Sequence, residues 1–242
     1  MRNKKRERNY LLKAVLQKFE KLPKGKVLDL GCGDGDYSIA LKEMGFDIVA
    51  ADIDKKRFEY SEQILFQYCD ITKDMPFPDH TFDYLLLMEV VEHLRNPYEV
   101  LPEINRIIKP GGSIILSTPN ILNLKSRWRF LFEGAYEYFR EPPLDQCKNP
   151  KEKIFNLHVV PYRYQELEYL LAATGLKVCS VFTSQYAWTA LSLFSPIIKL
   201  QAWFKMLRSK RKGGIDYGRI NKIICSNEML YGEHLIIQAQ KE

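Results

Sequence analysis

The sequence lacks the cysteine pattern of a zinc module and of a disulfide-stabilised scaffold. Its five cysteines are odd in number, widely spaced and without any C-x-x-C pair: Cys32, Cys69, Cys147, Cys179 and Cys225. Thiolate zinc sites use closely spaced pairs, and disulfide frameworks use an even set in a secreted chain. Neither class fits this pattern, and we expect reduced thiols in a cytoplasmic protein.

Long hydrophobic runs are also missing. A membrane-spanning helix needs ~18 or more consecutive apolar residues, and the nearest candidate, residues 187–207, is interrupted by Pro196, Lys199 and Lys205. Residues 1–8 are mostly charged and have no apolar segment behind them, so no signal peptide is expected. These absences predict a cytoplasmic location, with peripheral contact to a membrane as the alternative.

The chain carries only a small excess of positive charge. Lysine and arginine number 36 against 30 acidic residues, which gives a formal net charge of +6. This balance permits an anionic partner without requiring one. Basic residues cluster at 1–8 and 205–212, but neither cluster carries the interleaved aromatic residues on which RNA bases stack. A nucleic-acid partner is therefore not expected.

The composition and the length are those of a folded domain. Hydrophobic residues make up 46% of the chain and aromatic residues 12%, enough to build a core and to exclude a disordered chain. No internal repeat is visible, and 242 residues suit one elaborated domain, at ~100–200 residues per domain. We therefore expect a single domain over residues 1–242.

Short apolar runs alternate with helical spacing along the first half of the chain, and this pattern resumes near residue 160. Apolar strands separated by helices predict a parallel sheet that is doubly wound, with helices on both faces. The expected strands are 26–30, 48–51, 64–68, 82–88, 113–117, 177–183 and 233–239. The expected helices are 37–44, 97–108 and 164–174, and the second of these is expected to stop at Pro110-Gly-Gly112.

Two stretches break the alternation and are expected to be insertions that select the substrate. The predicted core comprises residues 20–120, 160–186 and 230–241, and the predicted insertions comprise residues 121–160 and 187–228.

A glycine-rich loop at residues 31–36 follows the first predicted strand and precedes a helix, where bare backbone lets a ligand approach closely. A dinucleotide fingerprint would place glycine at position 36, which is aspartate. Asp29, Asp34 and Asp36 would repel a pyrophosphate but suit a ligand that carries an ammonium and a sulfonium. Asp52 ends the second strand about 20 positions beyond the loop, where a carboxylate can accept both ribose hydroxyls. A nicotinamide cofactor is the weaker alternative.

These features resemble a known family. The motifs, in order, are Val27–Gly35, Asp52, Asp70, Phe82-Asp83, Ile107–Gly112 and Ser117-Thr-Pro-Asn120. Together they resemble the class I, seven-stranded Rossmann-like S-adenosylmethionine-dependent methyltransferases, over residues 25 to about 120. The resemblance implies a mostly parallel seven-stranded sheet whose last strand is antiparallel, with S-adenosylmethionine as cofactor.

Carried over position by position, the resemblance assigns the methionine end of that cofactor to the glycine loop. Gly31, Cys32 and Gly33 would contact it through their backbone. Asp29 would orient its amino group.

The resemblance also assigns the nucleoside end and the sulfur. Asp52 would hold the ribose, with Ile53 against the adenine. Asp70 would accept the adenine amino hydrogen, with Ile71 packed beside it. Met88 would line the pocket near the sulfur.

A second constellation follows the fourth strand. If residues 88–94 turn into helix, Glu89, Glu92 and His93 share one face, and His158 lies downstream. Two carboxylates and two imidazoles suit a divalent ion such as Mg, Mn or Zn. The alternative is a metal-free helix start that covers the cofactor, in which case His93 or His158 would serve as general base.

The E-x-x-E-H element resembles two methyltransferase subfamilies. One comprises ubiquinone-biosynthesis O-methyltransferases, and the other comprises small-RNA 3′-terminal 2′-O-methyltransferases, in which a T-P-N element also follows the fifth strand. The expected activity is methyl transfer from S-adenosylmethionine to an oxygen, or else a nitrogen, of a small or lipid-linked acceptor. The alternatives are a metal-dependent RNA 2′-O-methyltransferase, a non-catalytic S-adenosylmethionine-binding protein and a nicotinamide-dependent oxidoreductase.

Residues 196–212 combine an apolar helix with a basic end. Such a helix can lie on an anionic bilayer. It can equally pack as a lid on the sheet or form the contact of a homodimer. The sequence leaves these three interpretations open.

Overall fold

The computed structural model describes residues 2–139, 158, 160–188, 193, 195–208 and 217–242. Its centre is one sheet of seven strands in the order β3-β2-β1-β4-β5-β7-β6. All neighbouring strands are parallel except that β7 runs antiparallel to β5 and β6. The strands are β1 (Lys26–Leu30), β2 (Asp47–Asp52), β3 (Leu65–Tyr68), β4 (Phe82–Met88), β5 (Ile108–Pro119), β6 (Leu176–Phe182) and β7 (His234–Lys241). The predicted fold class is confirmed.

Helices cover both faces of this sheet. They are α1 (Arg2–Phe19), α2 (Asp36–Glu43), α3 (Pro97–Ile107), α4 (Leu124–Glu133), α5 (Tyr164–Ala173), α6 (Ser195–Arg208), α7 (Tyr217–Ile224) and α8 (Asn227–Tyr231), with 3₁₀ turns at Lys55–Arg57 and Val91–His93.

Two apolar layers hold the helices to the sheet. Because successive residues of a strand point to opposite faces, Val27 of β1 packs with Phe19 of α1 and Leu41 of α2. Leu28, the next residue, packs on the other side with α3 and α5. Burying one such large side chain contributes roughly 1.5–3 kcal/mol. Helix α1 is therefore part of the core, although its charged sequence gave no prediction of a helix.

The end of α3 differs from the prediction. Pro97 begins the helix, and the side chain of Asn96 accepts a hydrogen bond from the backbone of Tyr98. The helix ends at Ile107, before Pro110-Gly-Gly112, and these residues lie inside β5. They form an irregularity in its pairing with β4, with Gly111 at φ 77°. The helix therefore ends one residue before the predicted end at Ile108, and Pro110-Gly-Gly112 lie within the strand that follows.

The segment after β4 is not the predicted α-helix. Glu89 takes a left-handed backbone conformation, with φ 54°, and only one 3₁₀ turn, Val91–His93, follows. The backbone N–H of Glu89 donates to the side chain of Ser117, at 3.0 Å. This bond to the neighbouring strand turns the chain away from a helical path. The prediction that Glu89 and Glu92 share one helical face is therefore wrong.

Polar ends of several strands meet at one edge of the sheet. The parallel strands β1 to β5 all reach this edge with their carboxyl ends, as does β6. Because β7 runs the other way, its first residue, His234, lies at the same edge, opposite Pro119. In doubly wound folds this edge is where ligands bind.

The segment predicted to touch a membrane is described as far as Arg208; residues 209–212 lie outside the described part of the chain. Within it, α6 exposes four large apolar side chains, Ile197, Leu200, Trp203 and Phe204. No helix among the residues that the structure covers is long and apolar enough to cross a bilayer.

Candidate active site

The glycine loop is fixed to the neighbouring strand by its backbone. The N–H groups of Gly31 and Cys32 both donate to the carbonyl of Ala51, at 2.7 and 3.1 Å. Gly31 has φ 79°, and a β-carbon there would lie 2.5 Å from Cγ2 of Val90. Only glycine satisfies both conditions, because other residues disfavour positive φ and add that carbon. The backbone of the loop is therefore fixed at the carboxyl end of β1.

Asp52 ties the loop to the end of β2. One carboxylate oxygen accepts the N–H of Gly33 at 2.9 Å, and the other accepts the N–H of Asp54 at 2.9 Å. A carboxylate has about four lone-pair positions, so each oxygen keeps capacity for a further donor, as a ribose would supply. Ile53 follows directly and is half-buried. The structure therefore brings Asp52, Ile53 and the loop together.

Asp29 lies beneath the loop and is almost completely buried, with 1% of its surface exposed. Ser38 of α2 donates its hydroxyl to this carboxylate at 2.6 Å. Burial raises the pKa of Asp29 to about 6, and the nearby charge of Asp52 raises it further, while the Ser38 bond opposes the shift. Asp29 thus keeps its proton to a higher pH than an ordinary aspartate, and a cation bound beside it would favour the ionised form.

Cys32 is buried beside these carboxylates. Burial raises the pKa of its thiol far above the ordinary value, and the negative charges of Asp29 and Asp52 add to the effect. Such a thiol stays protonated and unreactive. The side chain of Cys32 therefore acts as a small apolar group.

The predicted adenine side is assembled from β3 and the turn after it. The backbone N–H of Cys69 donates to the carbonyl of Asp52 at 3.0 Å, so Asp70 follows close to Asp52. One oxygen of Asp70 accepts both the N–H and the hydroxyl of Thr72, at 3.1 and 2.7 Å. This carboxylate builds the turn, and Ile71 packs against the core.

Met88 is the last residue of β4 and lies at the carboxyl edge of the sheet. Its side chain is buried and packs in the layer formed with α1 and α2. Met88 lies near the glycine loop, because β4 pairs directly with β1, the strand that the loop follows.

The structure brings together three of the four residues predicted to bind metal. One ligand atom of each of Glu92, His93 and His158 lies within 4.8 Å of the other two. The rings of His93 and His158 meet edge to face, with centroids 5.0 Å apart. Glu92 is completely buried, and neither carboxylate oxygen has a hydrogen-bond partner among the residues described. Burial raises the pKa of Glu92, and the charge of Glu89 raises it further.

Glu89 faces a different set of groups. The hydroxyl of Ser117 donates to one of its oxygens at 2.7 Å. The other oxygen lies 4.0 Å from Nε2 of His234, and Nδ1 of His234 is hydrogen bonded to the hydroxyl of Ser184 at 2.7 Å. The sequence pattern does not single out His234 or Ser184, because only the antiparallel pairing of β7 brings them to this edge.

Comparison with known proteins identifies the fold's family. A family model for the methyltransferase domain matches residues 4–181. The chain belongs to this methyltransferase family. A crystal structure of an S-adenosylmethionine-dependent methyltransferase from Archaeoglobus fulgidus has a TM-score of 0.60, covers 96% of this chain and 93% of that chain, and is 20% identical. At this identity the likeness to that structure shows the fold alone.

Two curated relatives align with about half of this chain. A demethylmenaquinone methyltransferase of Bacillus licheniformis is 32% identical over 131 residues, 49% of this chain and 56% of that protein. A ubiquinone biosynthesis O-methyltransferase of Aliivibrio fischeri is 29% identical over 149 residues, 56% of this chain and 58% of that protein. The chain therefore spans little more than half the length of these relatives.

Two further residues of the methyltransferase domain support the site and are not evident from the sequence pattern. Arg57 pairs with Asp34 at 3.1 Å and lies beside Gly33. It offsets part of the negative charge around the loop. Asn120, in the T-P-N element, donates to the carbonyls of Glu228 at 3.2 Å, Met229 at 3.1 Å and Gly232 at 2.9 Å. Its role is to hold α8 and the start of β7 against the sheet.

Proposed function

We propose that this methyltransferase domain transfers a methyl group from S-adenosylmethionine to an oxygen, or else a nitrogen, of a small or lipid-linked acceptor. The observation that carries the proposal is the arrangement of Asp29 and Asp52 around the glycine loop at the carboxyl edge of the sheet. A buried carboxylate suits the ammonium of the methionine portion. A carboxylate with unused lone pairs suits the two ribose hydroxyls.

The residues of the chain would act mainly by binding and alignment. S-adenosylmethionine, when bound, supplies a methyl group on a sulfonium that is already a good leaving group. The glycine loop would hold the methionine end, Asp52 would hold the ribose, and Met88 would line the pocket near the sulfur. The enzyme then needs only to place the acceptor atom in line with the methyl group and to exclude water.

A quinone-type aromatic acceptor fits this proposal. One curated relative is named for demethylmenaquinone and another for ubiquinone biosynthesis. Aromatic side chains lie around the acceptor side of the edge: Tyr138 stacks on His234, and Trp188 packs against Tyr231 with ring centroids 4.3 Å apart. Flat apolar rings of this kind favour an aromatic head group.

Asp52→Ala tests the proposal, with Asp47→Ala as the matched control. Asp47 begins the same strand at the opposite edge of the sheet and is exposed. Hydrogen bonds to a charged group are worth about 1.5–3 kcal/mol, so Asp52→Ala should weaken binding of S-adenosylhomocysteine roughly 10- to 100-fold by calorimetry. The control should bind like wild type. Uptake of the ligand with full affinity by Asp52→Ala, or none by the wild type, would refute the proposal.

The proposal extends to a divalent metal at Glu92, His93 and His158. A buried carboxylate that lacks a hydrogen-bond partner within the described structure is the kind of group that a cation would satisfy. The donor set of one carboxylate and two imidazoles fits Zn²⁺ or Mn²⁺. When bound, the metal would polarise an oxygen of the acceptor.

Metal content and thermal stability test this extension without relying on activity. The wild-type protein should gain thermal stability with Zn²⁺ or Mn²⁺, and Glu92→Gln should lose that gain. Elemental analysis of the purified protein should find metal in the wild type only. Equal midpoints with and without each ion, together with activity that is indifferent to a chelator, would end the metal hypothesis.

Helix α6 supports peripheral contact with an anionic membrane, which would bring the enzyme to a lipid-linked acceptor. Its exposed apolar side chains include an edge-to-face pair, Trp203 and Phe204. A Trp203→Glu/Phe204→Glu variant should lose co-sedimentation with vesicles containing phosphatidylglycerol. Gln201→Glu, which adds a negative charge at an exposed position of the same helix, should retain it. Equal sedimentation of all three proteins would favour a lid or a dimer contact instead.

A further inference from the structure

The edge of the sheet holds a second polar array beside the proposed metal cluster. It consists of Glu89 after β4, Ser117 in β5, His234 at the start of β7 and Ser184 after β6. Ser117 donates a hydrogen bond to one oxygen of Glu89, and Ser184 is hydrogen bonded to Nδ1 of His234. Each of the two side chains is therefore held in place by a serine. The two groups that remain directed at each other are Oε2 of Glu89 and Nε2 of His234.

The distance between these two atoms is 4.0 Å, too long for a hydrogen bond. A single oxygen atom about 2.8 Å from both would fit between them. In the tautomer whose Nδ1 proton is donated to Ser184, Nε2 presents a lone pair. A hydroxyl in the gap has one proton, which it could donate to Nε2 while the carboxylate of Glu89 lies close by.

Accessibility distinguishes the two partners. The side chain of His234 is 8% exposed, whereas that of Glu89 is 30% exposed. The ring of Tyr138 lies nearly parallel to His234, at 26° with centroids 6.4 Å apart. One face of the His234 ring is therefore covered by Tyr138, and Glu89 is the more exposed partner of the pair.

Backbone strain supports a functional role for Glu89. A non-glycine residue at φ 54° is strained and persists where the surroundings impose the conformation. Here two hydrogen bonds to Ser117, from its hydroxyl to Oε1 and from the Glu89 N–H to its Oγ, hold the residue in place. The result is that the carboxylate is aimed at His234.

From this geometry we infer that the acceptor hydroxyl donates its proton to Nε2 of His234, which is the general base, and that the carboxylate of Glu89 stabilises the imidazolium that forms. The inference rests on the proposed methyl transfer. The hydroxyl oxygen attacks the methyl carbon, and the carbon–sulfur bond breaks with its electron pair passing to sulfur. The hydroxyl proton passes to Nε2 of His234, and the imidazolium is stabilised by the carboxylate of Glu89 before it returns the proton to water.

The chemistry favours a phenolic hydroxyl. A phenol has a pKa of about 10, as in tyrosine, and is acidic enough for an imidazole to act as its base. Aliphatic alcohols, like water, are far weaker acids, and a histidine alone would deprotonate them poorly. Catechol is therefore the probe of choice, since it is small and presents two phenolic hydroxyls.

The test compares His234→Gln and Glu89→Gln with wild type, using catechol as acceptor. His80→Gln is the matched control, because His80 lies at the other edge of the sheet and bonds the carbonyl of Ile108. General-base catalysis contributes about 10²–10⁴-fold. His234→Gln should lower kcat by that factor while its affinity for S-adenosylhomocysteine stays within about 3-fold of wild type. Glu89→Gln should lower kcat.

Rescue experiments separate a chemical role from a structural one. Imidazole added to His234→Ala should restore part of kcat, whereas a variant that had merely lost packing would not respond. The thermal midpoint and S-adenosylhomocysteine binding report whether each variant is folded. Normal kcat in His234→Gln would overturn the inference, and so would a wild-type complex that binds S-adenosylhomocysteine but neither binds nor methylates catechol. A wild type that binds no S-adenosylhomocysteine would instead remove the proposed function itself.

Discussion

Replacing Asp29 by asparagine separates the stability of the fold from the binding of its ligand. The carboxyl is buried, and its pKa rises from 3.8 to about 6. The folded protein therefore binds this proton more tightly than the unfolded chain does. By linkage, the stability that this group contributes is fully present below pH 4 and is lost as the pH rises through 6.

The size of the effect follows from the shift. Each pKa unit corresponds to 1.36 kcal/mol, so the ionised carboxylate costs about 3 kcal/mol of stability above pH 6. Asparagine has a similar shape, stays neutral and can still accept the hydroxyl of Ser38. Asp29→Asn should therefore match wild type near pH 4 and exceed its free energy of unfolding by up to about 3 kcal/mol at pH 7.5.

Urea unfolding at a series of pH values measures this difference. Thermal midpoints should differ by about 2–4 °C for each kcal/mol. Asp47→Asn, an exposed position in β2, should stay within about 0.5 kcal/mol of wild type. The same variant Asp29→Asn should bind S-adenosylhomocysteine more weakly, because it no longer offers a charge to the ammonium.

Two results would refute this reasoning. Equal stability of wild type and Asp29→Asn at pH 7.5 would mean that burial does not penalise the carboxylate. A gain of the same size at pH 4 and pH 7.5 would mean that the substitution acts through packing. Only a gain that grows between these pH values agrees with a raised pKa.

Three further substitutions test the architecture of the site by urea unfolding. Gly31→Ala should lower the free energy of unfolding by roughly 2 kcal/mol or more, because it adds left-handed strain and a clash with Val90. Gly45→Ala, at φ 88° with open space around it, should lower it by only about 1–2 kcal/mol. Equal losses would contradict the role of the clash. Glu92→Gln in a chelating buffer should stabilise the protein increasingly as pH rises above 4.5, because burial raises the pKa of this acid; a pH-independent difference would contradict it. Asn120→Ala should cost about 3 kcal/mol, since it leaves buried carbonyls without donors, and a loss below about 1 kcal/mol would show that α8 is held otherwise.

Periodicity located the strands well. The predicted bounds of β1 and β4 agree with the structure to the residue, and those of β3 differ only at the first residue. These strands are continuous apolar runs because the sheet is covered on both faces. Helix α1 was missed, since its many charged residues obscure the apolar positions that reach the core.

The cofactor side could be anticipated because it is local in sequence. A glycine loop and an acid at the end of the next strand belong to one strand–helix–strand unit, so chain order alone predicts that they meet. The segment after β4 could not be anticipated in the same way. Its path depends on a hydrogen bond from Glu89 to Ser117, far along the chain.

By itself, the sequence determined the alternation of strands and helices and the set of carboxylates at the cofactor end, since both follow from short-range patterns of apolar and polar residues. That Glu89 lies apart from Glu92, His93 and His158 and faces His234 follows only from the tertiary structure. That contact requires β7 to enter the sheet in the antiparallel direction between β5 and β6. Such pairing is chosen by long-range packing, and no local pattern in the chain records it.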